Sequence, residues 1–140
     1  MPQAMLACTV MVLLSVLVHY ETLRLISGFM PRLSHPPRRR IILVIVGAFA
    51  GHTVEIWLWG IAYWSLIDHF GLGHLAGIDG SLFECVYFSS VTFTTLGFGD
   101  VTPVGPLRLL AGAEALTGFM LIGWTASFTY LAMRDFWELH

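Results

Sequence analysis

Three long stretches of the chain are dominated by apolar residues, and the charged residues gather between them. They cover residues 4–26, 41–67 and 106–137. A helix of about 20 mainly apolar residues crosses the hydrocarbon core of a bilayer. The pattern therefore predicts three membrane-spanning helices. The second would be about 40 Å long and must tilt or protrude.

A shorter apolar stretch lies between the second and third spans. Residues 69–80 are rich in glycine and indicate a loop. Ser81 and Glu84 then form the spacing of a capping box, which marks the start of a helix. The helix predicted over residues 82–94 is too short to cross a membrane, so we expect it to enter the bilayer and return. The predicted fold is an all-α membrane protein.

Composition agrees with this prediction and narrows the function classes. Apolar residues make up 56% of the chain and charged residues 11%, against roughly a quarter charged in soluble proteins. Arg38–Arg40 is the single basic cluster and directly precedes an apolar run, so we expect no nucleic-acid partner. Cys8 and Cys85 lie apart in apolar surroundings, so we expect no disulfide partner. No catalytic-triad, Walker or zinc-protease pattern occurs, and we expect neither an enzyme nor a cofactor.

The arginines predict the orientation of the chain. Five of the seven positive charges lie near the end of the first span or between it and the second: Arg24, Arg32, Arg38, Arg39 and Arg40. The connection at residues 28–40 should therefore be cytoplasmic. This places the N-terminus outside and the C-terminus in the cytoplasm. The compactness of the chain favours a prokaryotic inner membrane.

The strip that follows the short helix carries the strongest functional signal: Thr95, Leu96, Gly97, Phe98, Gly99 and Asp100. Glycine at alternate positions permits a backbone that turns successive carbonyls towards one axis. Four copies of such a strip replace the water around an ion with rings of oxygens, and Thr95 adds a ring of hydroxyls. Asp100 would place a negative charge from each copy at the outer mouth. One strip per chain predicts a homotetramer.

Residues Thr94–Asp100 resemble the Thr-Val-Gly-Tyr-Gly-Asp signature of potassium channels. The resemblance extends from Leu82 to Met133 and implies passive conduction of K⁺ as the permeant ion. It makes residues 41–140 a pore domain, with an outer helix 41–67, a pore helix 82–94, a filter 95–100 and an inner helix 106–137. Residues 1–27 form an additional N-terminal transmembrane helix that the resemblance does not explain.

The same resemblance implies roles for residues outside the filter. Tyr87 stands where the family braces its filter with tryptophan, and would donate a hydrogen bond to Asp100. Gly118 stands where the inner helix often has its hinge. Helical spacing then places three residues on one face below the filter, lining the ion path: Ile122, Ala126 and Tyr130.

Three of the acidic or imidazole side chains inside the predicted spans lie deep in the second and third spans. His52 and Glu55 share a helix face. Glu114 should brace the filter from behind, with Ser89, Ser90, Thr92 or Glu55 as its partners. Buried hydrogen bonding, pH sensing and ion attraction are the interpretations open for these groups, whereas His-x-x-Glu alone is a weak metal signal.

Two departures from the signature leave alternatives open. Leu96 replaces a β-branched residue, and Phe98 lacks the hydroxyl that can anchor the filter. A weakly selective cation channel is therefore one alternative to a potassium channel. A non-conducting membrane subunit that regulates a partner is the other.

Overall fold

The described part of the chain consists of four helices and two short strands. The computed structural model describes residues 2–30 and 37–137. In chain order the elements are α1 (Pro2–Phe29), α2 (Pro37–Asp68), β1 (His74–Ala76), α3 (Leu82–Phe93), β2 (Thr102–Val104) and α4 (Leu107–Trp137).

Helices α1, α2 and α4 are the three long apolar helices that the hydropathy pattern predicts. Each is long and apolar enough to cross a membrane. With 12 residues, α3 is too short to do so. The prediction of a helical membrane fold with three spans and one short additional helix is confirmed.

Several predicted boundaries need correction. Helix α1 extends to Phe29, and α2 begins at Pro37, so Arg38–Arg40 belong to a helix and not to the connection. Proline tolerates the first helical position because its missing N–H has no partner there in any case. At the other elements, Thr94 is the C-cap of α3 and α4 begins at Leu107.

A small antiparallel sheet joins the segments before and after α3, and the sequence analysis did not predict it. In its register His74 faces Val104, and Ala76 faces Thr102. Three residues per strand are too few to show the alternation by which a strand is recognised. The segment predicted as a glycine-rich loop is thus partly a strand.

Helix α3 packs in the angle between α2 and α4, and close backbone approaches hold it there. A Cβ on Gly60 of α2 would lie 2.8 Å from the Cα of Val86 of α3. The main core forms around this junction, and its largest fully buried apolar side chains include Trp59, Tyr63 and Phe93. The core therefore fixes the short helix and the strip that follows it.

Helix α1 packs against α2 and α4 of the same chain. Thr22 of α1 lies where a Cβ on Gly51 of α2 would be, with its Cγ2 2.6 Å from that position. Trp59 of α2 donates a hydrogen bond of 2.9 Å to the buried hydroxyl of Ser15. Helix α1 is thus bound to α2 by close packing and by a buried polar contact.

Candidate functional site

The strip after α3 has an alternating backbone conformation. The φ angles of Thr95, Gly97 and Gly99 are 59°, 54° and 82°, all in the left-handed region. Glycine adopts such angles freely, whereas a residue with a Cβ pays about 1–3 kcal/mol. Thr95 is the only non-glycine residue with a positive φ among the described residues. Thr95 is β-branched, and it continues the alternation of left-handed residues that Gly97 and Gly99 show. Backbone strain at such a residue points to a functional role for this backbone.

Two backbone hydrogen bonds attach the start of this strip to α3. The N–H of Thr95 donates to the carbonyl of Thr92 at 2.9 Å, and the N–H of Gly97 donates to the carbonyl of Val91 at 3.0 Å. At its other end α3 has the predicted capping box, in which Ser81 and Glu84 satisfy each other's backbone N–H groups. The helix that carries the strip is therefore capped at both ends.

The two large apolar side chains of the strip are exposed. Leu96 is 58% exposed and Phe98 is 67% exposed. A Cβ added at Gly97 or Gly99 would meet no atom within 4 Å. In a membrane protein, exposed apolar groups of this size are covered by lipid or by another protein surface.

At the outer end of the strip, Tyr87 donates a hydrogen bond of 2.7 Å to the carboxylate of Asp100. This bond raises the pKa of the Tyr87 phenol above its ordinary value. The phenol therefore keeps its proton, and remains a donor, throughout the neutral pH range. The contact has the geometry that the sequence analysis expected, and its bracing role stays a prediction.

Glu114 of α4 is fully buried and is the centre of a polar contact between three helices. Its carboxyl oxygens lie 2.6 Å from the hydroxyl of Tyr63 on α2 and 2.6 Å from that of Ser89 on α3. Ser89 also lies 2.8 Å from the carbonyl of Ile56. Through Glu114, helix α4 is thus connected to both α2 and α3.

Of the partners expected for Glu114, the structure places only Ser89 beside it. Ser90 donates instead to the carbonyl of Tyr87 at 2.7 Å. The carboxylate of Glu55 lies between His19 and His52, so its expected pairing with Glu114 is wrong. Tyr63 was missed because a tyrosine in an apolar span gives no sign of which helix its hydroxyl will meet.

Below the strip lies an open cleft of about 400 Å³. Ile122 and Ala126, two of the three residues expected below the filter, line it together with Thr94 and Thr95. Phe119, Met120 and Gly123 complete the lining. Tyr130 is exposed further along α4 and is not among the described residues that line this cleft.

Gly118 has a packing role that the sequence did not reveal. A Cβ at this position would collide with the carbonyl oxygen of Phe93 and would lie 2.7 Å from its carbonyl carbon. Helix α4 runs without interruption from Leu107 to Trp137 through this point. Glycine is therefore needed here for the close contact of α4 with the end of α3, and a hinge at Gly118 stays a prediction.

Comparison with known proteins assigns the chain to a family. The family model described as "Ion channel" matches residues 40–134, which include α3, the strip and nearly all of the two long helices beside them. The chain therefore belongs to this ion channel family. It is a multi-pass membrane protein, and the matched region begins after α1.

Two curated relatives match over a short stretch. The protein LctB of Bacillus caldotenax is 45% identical over 38 residues, and that of Geobacillus stearothermophilus is 48% identical over 38 residues. The stretch is 27% of this chain and 28% of each relative. The chain is thus matched over less than a third of the length of these relatives. No solved structure matches the chain.

Proposed function

We propose that the chain is a subunit of a potassium-selective channel and conducts K⁺ passively through a filter formed by residues 95–99. The observation that carries the proposal is the alternation of left-handed φ angles at Thr95, Gly97 and Gly99. In an ordinary strand successive carbonyls point to opposite sides. A left-handed residue at every second position turns them to the same side, which is the arrangement that replaces the water shell of an ion.

The electrostatics of the short helix favour a cation at this place. Helix α3 ends at Phe93, immediately before the strip. Its C-terminal end carries a partial negative charge of about half an elementary unit. The Thr95 hydroxyl would supply the innermost oxygen of the filter, and Asp100 would add a negative charge at the outer mouth.

A single strip covers one side of an ion, so the proposal requires a homotetramer around a four-fold axis. The exposed Leu96 and Phe98 support it, since neighbouring subunits would cover them. The cleft lined by Thr95, Ile122 and Ala126 then becomes one quarter of a water-filled cavity below the filter. Tyr130 would lie nearer the cytoplasmic end of that path.

The proposed orientation places the arginines near the end of α1 and at the start of α2 on the cytoplasmic side. The N-terminus is then outside, the C-terminus is cytoplasmic, and α3 enters the bilayer from the outer side and returns. In this orientation the partial negative end of α3 faces the cavity. The membrane is the prokaryotic inner membrane.

The decisive experiment is the reversal potential of the purified protein in planar bilayers under K⁺/Na⁺ gradients. A potassium channel shifts the reversal potential close to the K⁺ equilibrium value. A reversal potential near zero would establish the weakly selective alternative. No current from a correctly inserted protein would favour the non-conducting regulatory subunit.

A matched pair of variants ties the current to the filter. Gly97→Ala puts a Cβ on a residue with a φ of 54°, which costs about 1–3 kcal/mol in that conformation, so it should abolish K⁺ current while the oligomer still inserts. Gly112→Ala makes the same change in α4, where the Cβ meets no atom within 4 Å, and should conduct normally. Selective current from Gly97→Ala would overturn the assignment of the filter.

Cysteine labelling tests the orientation separately. Ser34 lies between the first and second predicted spans and outside the described residues. A cysteine at this position should react only from the cytoplasmic side. Gly77, the natural choice for the outer loop, has a φ of 101° and lies against the carbonyl of Asp100. The exposed Asp79 is therefore the better position. Labelling of both from one side would contradict the proposed topology.

A further inference from the structure

Three ionisable side chains from two helices converge behind the pore-side core. Nδ1 of His19 lies 3.0 Å from one carboxylate oxygen of Glu55, and Nδ1 of His52 lies 2.8 Å from the other. The two imidazole rings are stacked, with centroids 5.1 Å apart. One coordinating atom from each of the three residues lies within 4.8 Å of the others. Both imidazole rings thus direct their Nδ1 atoms towards the carboxylate of Glu55.

The cluster is deeply buried and is surrounded by side chains from all four helices. His19 belongs to α1, His52 and Glu55 belong to α2, and Trp124 and Phe93 place their rings beside the two imidazoles. The side chains of His19 and Glu55 are 1% and 0% exposed, and that of His52 is 17% exposed. Ionisable groups at membrane depth are costly and call for a specific role.

We propose that His19, His52 and Glu55 bind a divalent transition-metal ion of the Zn²⁺ type. Two imidazole nitrogens and a carboxylate form a ligand set that zinc uses in proteins, with a fourth position left for water. Imidazole ligands also favour zinc-like ions over Mg²⁺ and Ca²⁺, which prefer oxygen. The ion joins α1 to α2, and the partial exposure of His52 marks its entry side.

Thr125 of α4 provides the outer support that such a site needs. Its hydroxyl oxygen lies 2.9 Å from Nε2 of His52 and 3.4 Å from Nε2 of His19. A histidine that binds metal through one nitrogen donates the other N–H to an acceptor, which fixes the ring. With metal on both Nδ1 atoms, each neutral ring carries its proton on Nε2, and the two lone pairs of Thr125 accept from both rings.

The present distances are those of hydrogen bonds between the rings and the carboxylate. Tetrahedral zinc with bonds of about 2.1 Å separates its ligand atoms by about 3.4 Å. The nitrogen–oxygen pairs must therefore open by only a few tenths of an ångström when metal replaces the Nδ1 protons. The two imidazole nitrogens, which belong to ligand atoms within 4.8 Å of one another, must reach the same separation.

The sequence analysis did not identify His19 as a partner of Glu55. The two residues are 36 positions apart and lie on different helices, so no sequence spacing connects them. The metal site gives α1, which precedes the family match, a chemical link to the pore region. It does not depend on ion conduction, so its test and the test of the channel can fail independently.

The test uses the full-length chain, purified without a histidine tag and stripped with a chelator. His35 and His140, which lie outside the described residues, are replaced by glutamine in the background protein. Calorimetric titration with Zn²⁺ should give one ion per chain, and Co²⁺ should give the absorption of a four-coordinate nitrogen and oxygen site. Absence of both signals in the folded background protein would overturn the proposal.

Variants localise the ion. His19→Gln and Glu55→Gln should lose the one-to-one binding, whereas the loop double variant His69→Gln with His74→Gln should keep it. Thr125→Val should weaken binding by about 10–100-fold, whereas Thr125→Ser should not. If His19→Gln fails to fold, the two Thr125 variants and the Co²⁺ spectrum still test whether the metal binds at this site. Binding that survives in folded His19→Gln, or is lost in the loop variant, would overturn the site.

Discussion

The carbonyl of Phe93, the last residue of α3, lies directly against Gly118 in the middle of α4. A Cβ on Gly118 would lie 2.9 Å from Cγ of the Phe93 ring as well as colliding with its carbonyl oxygen. The strip of residues 95–100 begins two residues later. The contact with this glycine therefore determines where the proposed filter begins relative to α4.

Gly118→Ala should displace α3 and impair the filter. Overpacking a tight contact costs typically about 1–3 kcal/mol, and both partners here are backbone atoms that cannot rotate away. We expect a lower melting temperature in detergent and loss of K⁺ current. Gly123→Ala, on the same helix, meets no atom within 4 Å and should melt no lower than the wild type. Equal stability of Gly118→Ala and Gly123→Ala would show that α3 is not held in this way.

Tyr87→Phe removes the hydroxyl that donates to Asp100 and keeps the ring. We expect the outer end of the filter to become less well held, so the K⁺/Na⁺ permeability ratio should fall and currents should decline faster during recording. The measurement is bilayer recording beside Tyr20→Phe, which removes the hydroxyl of an exposed tyrosine on α1. Currents that match the wild type in both variants would limit Tyr87 to filling space.

The contribution of Tyr87 should also have a defined pH dependence. Its pKa is raised because the phenol donates to the Asp100 carboxylate. A raised pKa stabilises the protonated folded state, so this contribution is complete below the ordinary tyrosine pKa of about 10 and is lost as the pH rises through the raised value. The difference in melting temperature between wild type and Tyr87→Phe should stay constant from pH 7 to 9. A difference that disappears within that range would contradict the assignment.

Glu114→Gln should be tolerated, and Glu114→Leu should not. The amide oxygen can accept from Tyr63, and the amide NH₂ can donate to Ser89, which then donates to the carbonyl of Ile56. Leucine leaves the buried Tyr63 hydroxyl without its acceptor, at about 1–3 kcal/mol, whereas Ser89 can still donate to the carbonyl of Ile56. Melting of the detergent-solubilised oligomer should therefore fall clearly for leucine alone.

Glu21→Leu is the control for that pair, because Glu21 is exposed and pairs with Arg24 on the same helix face. Exposed pairs of this kind contribute about 0–1 kcal/mol. Equal melting and equal K⁺ flux for all three variants would reduce Glu114 to a tolerated buried group.

Ala126→Cys should make the channel sensitive to thiol reagents applied from the cytoplasmic side. Ala126 lines the cleft below the strip, so a bulky adduct there should block the current. Leu131 lies about 140° around the helix from Ala126, and a labelled cysteine at that position should leave the current intact. Confirmed labelling of Ala126→Cys without block would place the ion path elsewhere.

Sequence patterns predicted the parts of the fold that depend on neighbouring residues. The number and order of the three apolar helices follow from hydropathy, and the start of α3 follows from Ser81 and Glu84. The contact between Tyr87 and Asp100 also spans a short distance along the chain. The strip of residues 95–100 lies at the end of the short helix, as its position in the sequence indicated.

The contacts that were not predicted join residues far apart in the chain. The partners of His19, Glu55 and Glu114 depend on how each helix is rotated and tilted, and an all-round apolar helix gives no face from which to infer this. Gly118 shows the same limit, because close packing and a hinge both require glycine. The strands β1 and β2 are too short to show a period.

The pairing of β1 with β2 brings the two ends of the segment around α3 together. The backbones of Asp100 and Gly77 touch at the end of the strand pair that is nearer to α3 along the chain. His74 faces Val104 at the end that is nearer to α2 and α4. The polypeptide that leaves α2 and the polypeptide that returns to α4 therefore lie close together. The segment is consequently a cassette with two adjacent attachment points, and a graft of residues 74–104 into another channel must also bring the glycines at positions 60 and 118 that let α3 approach.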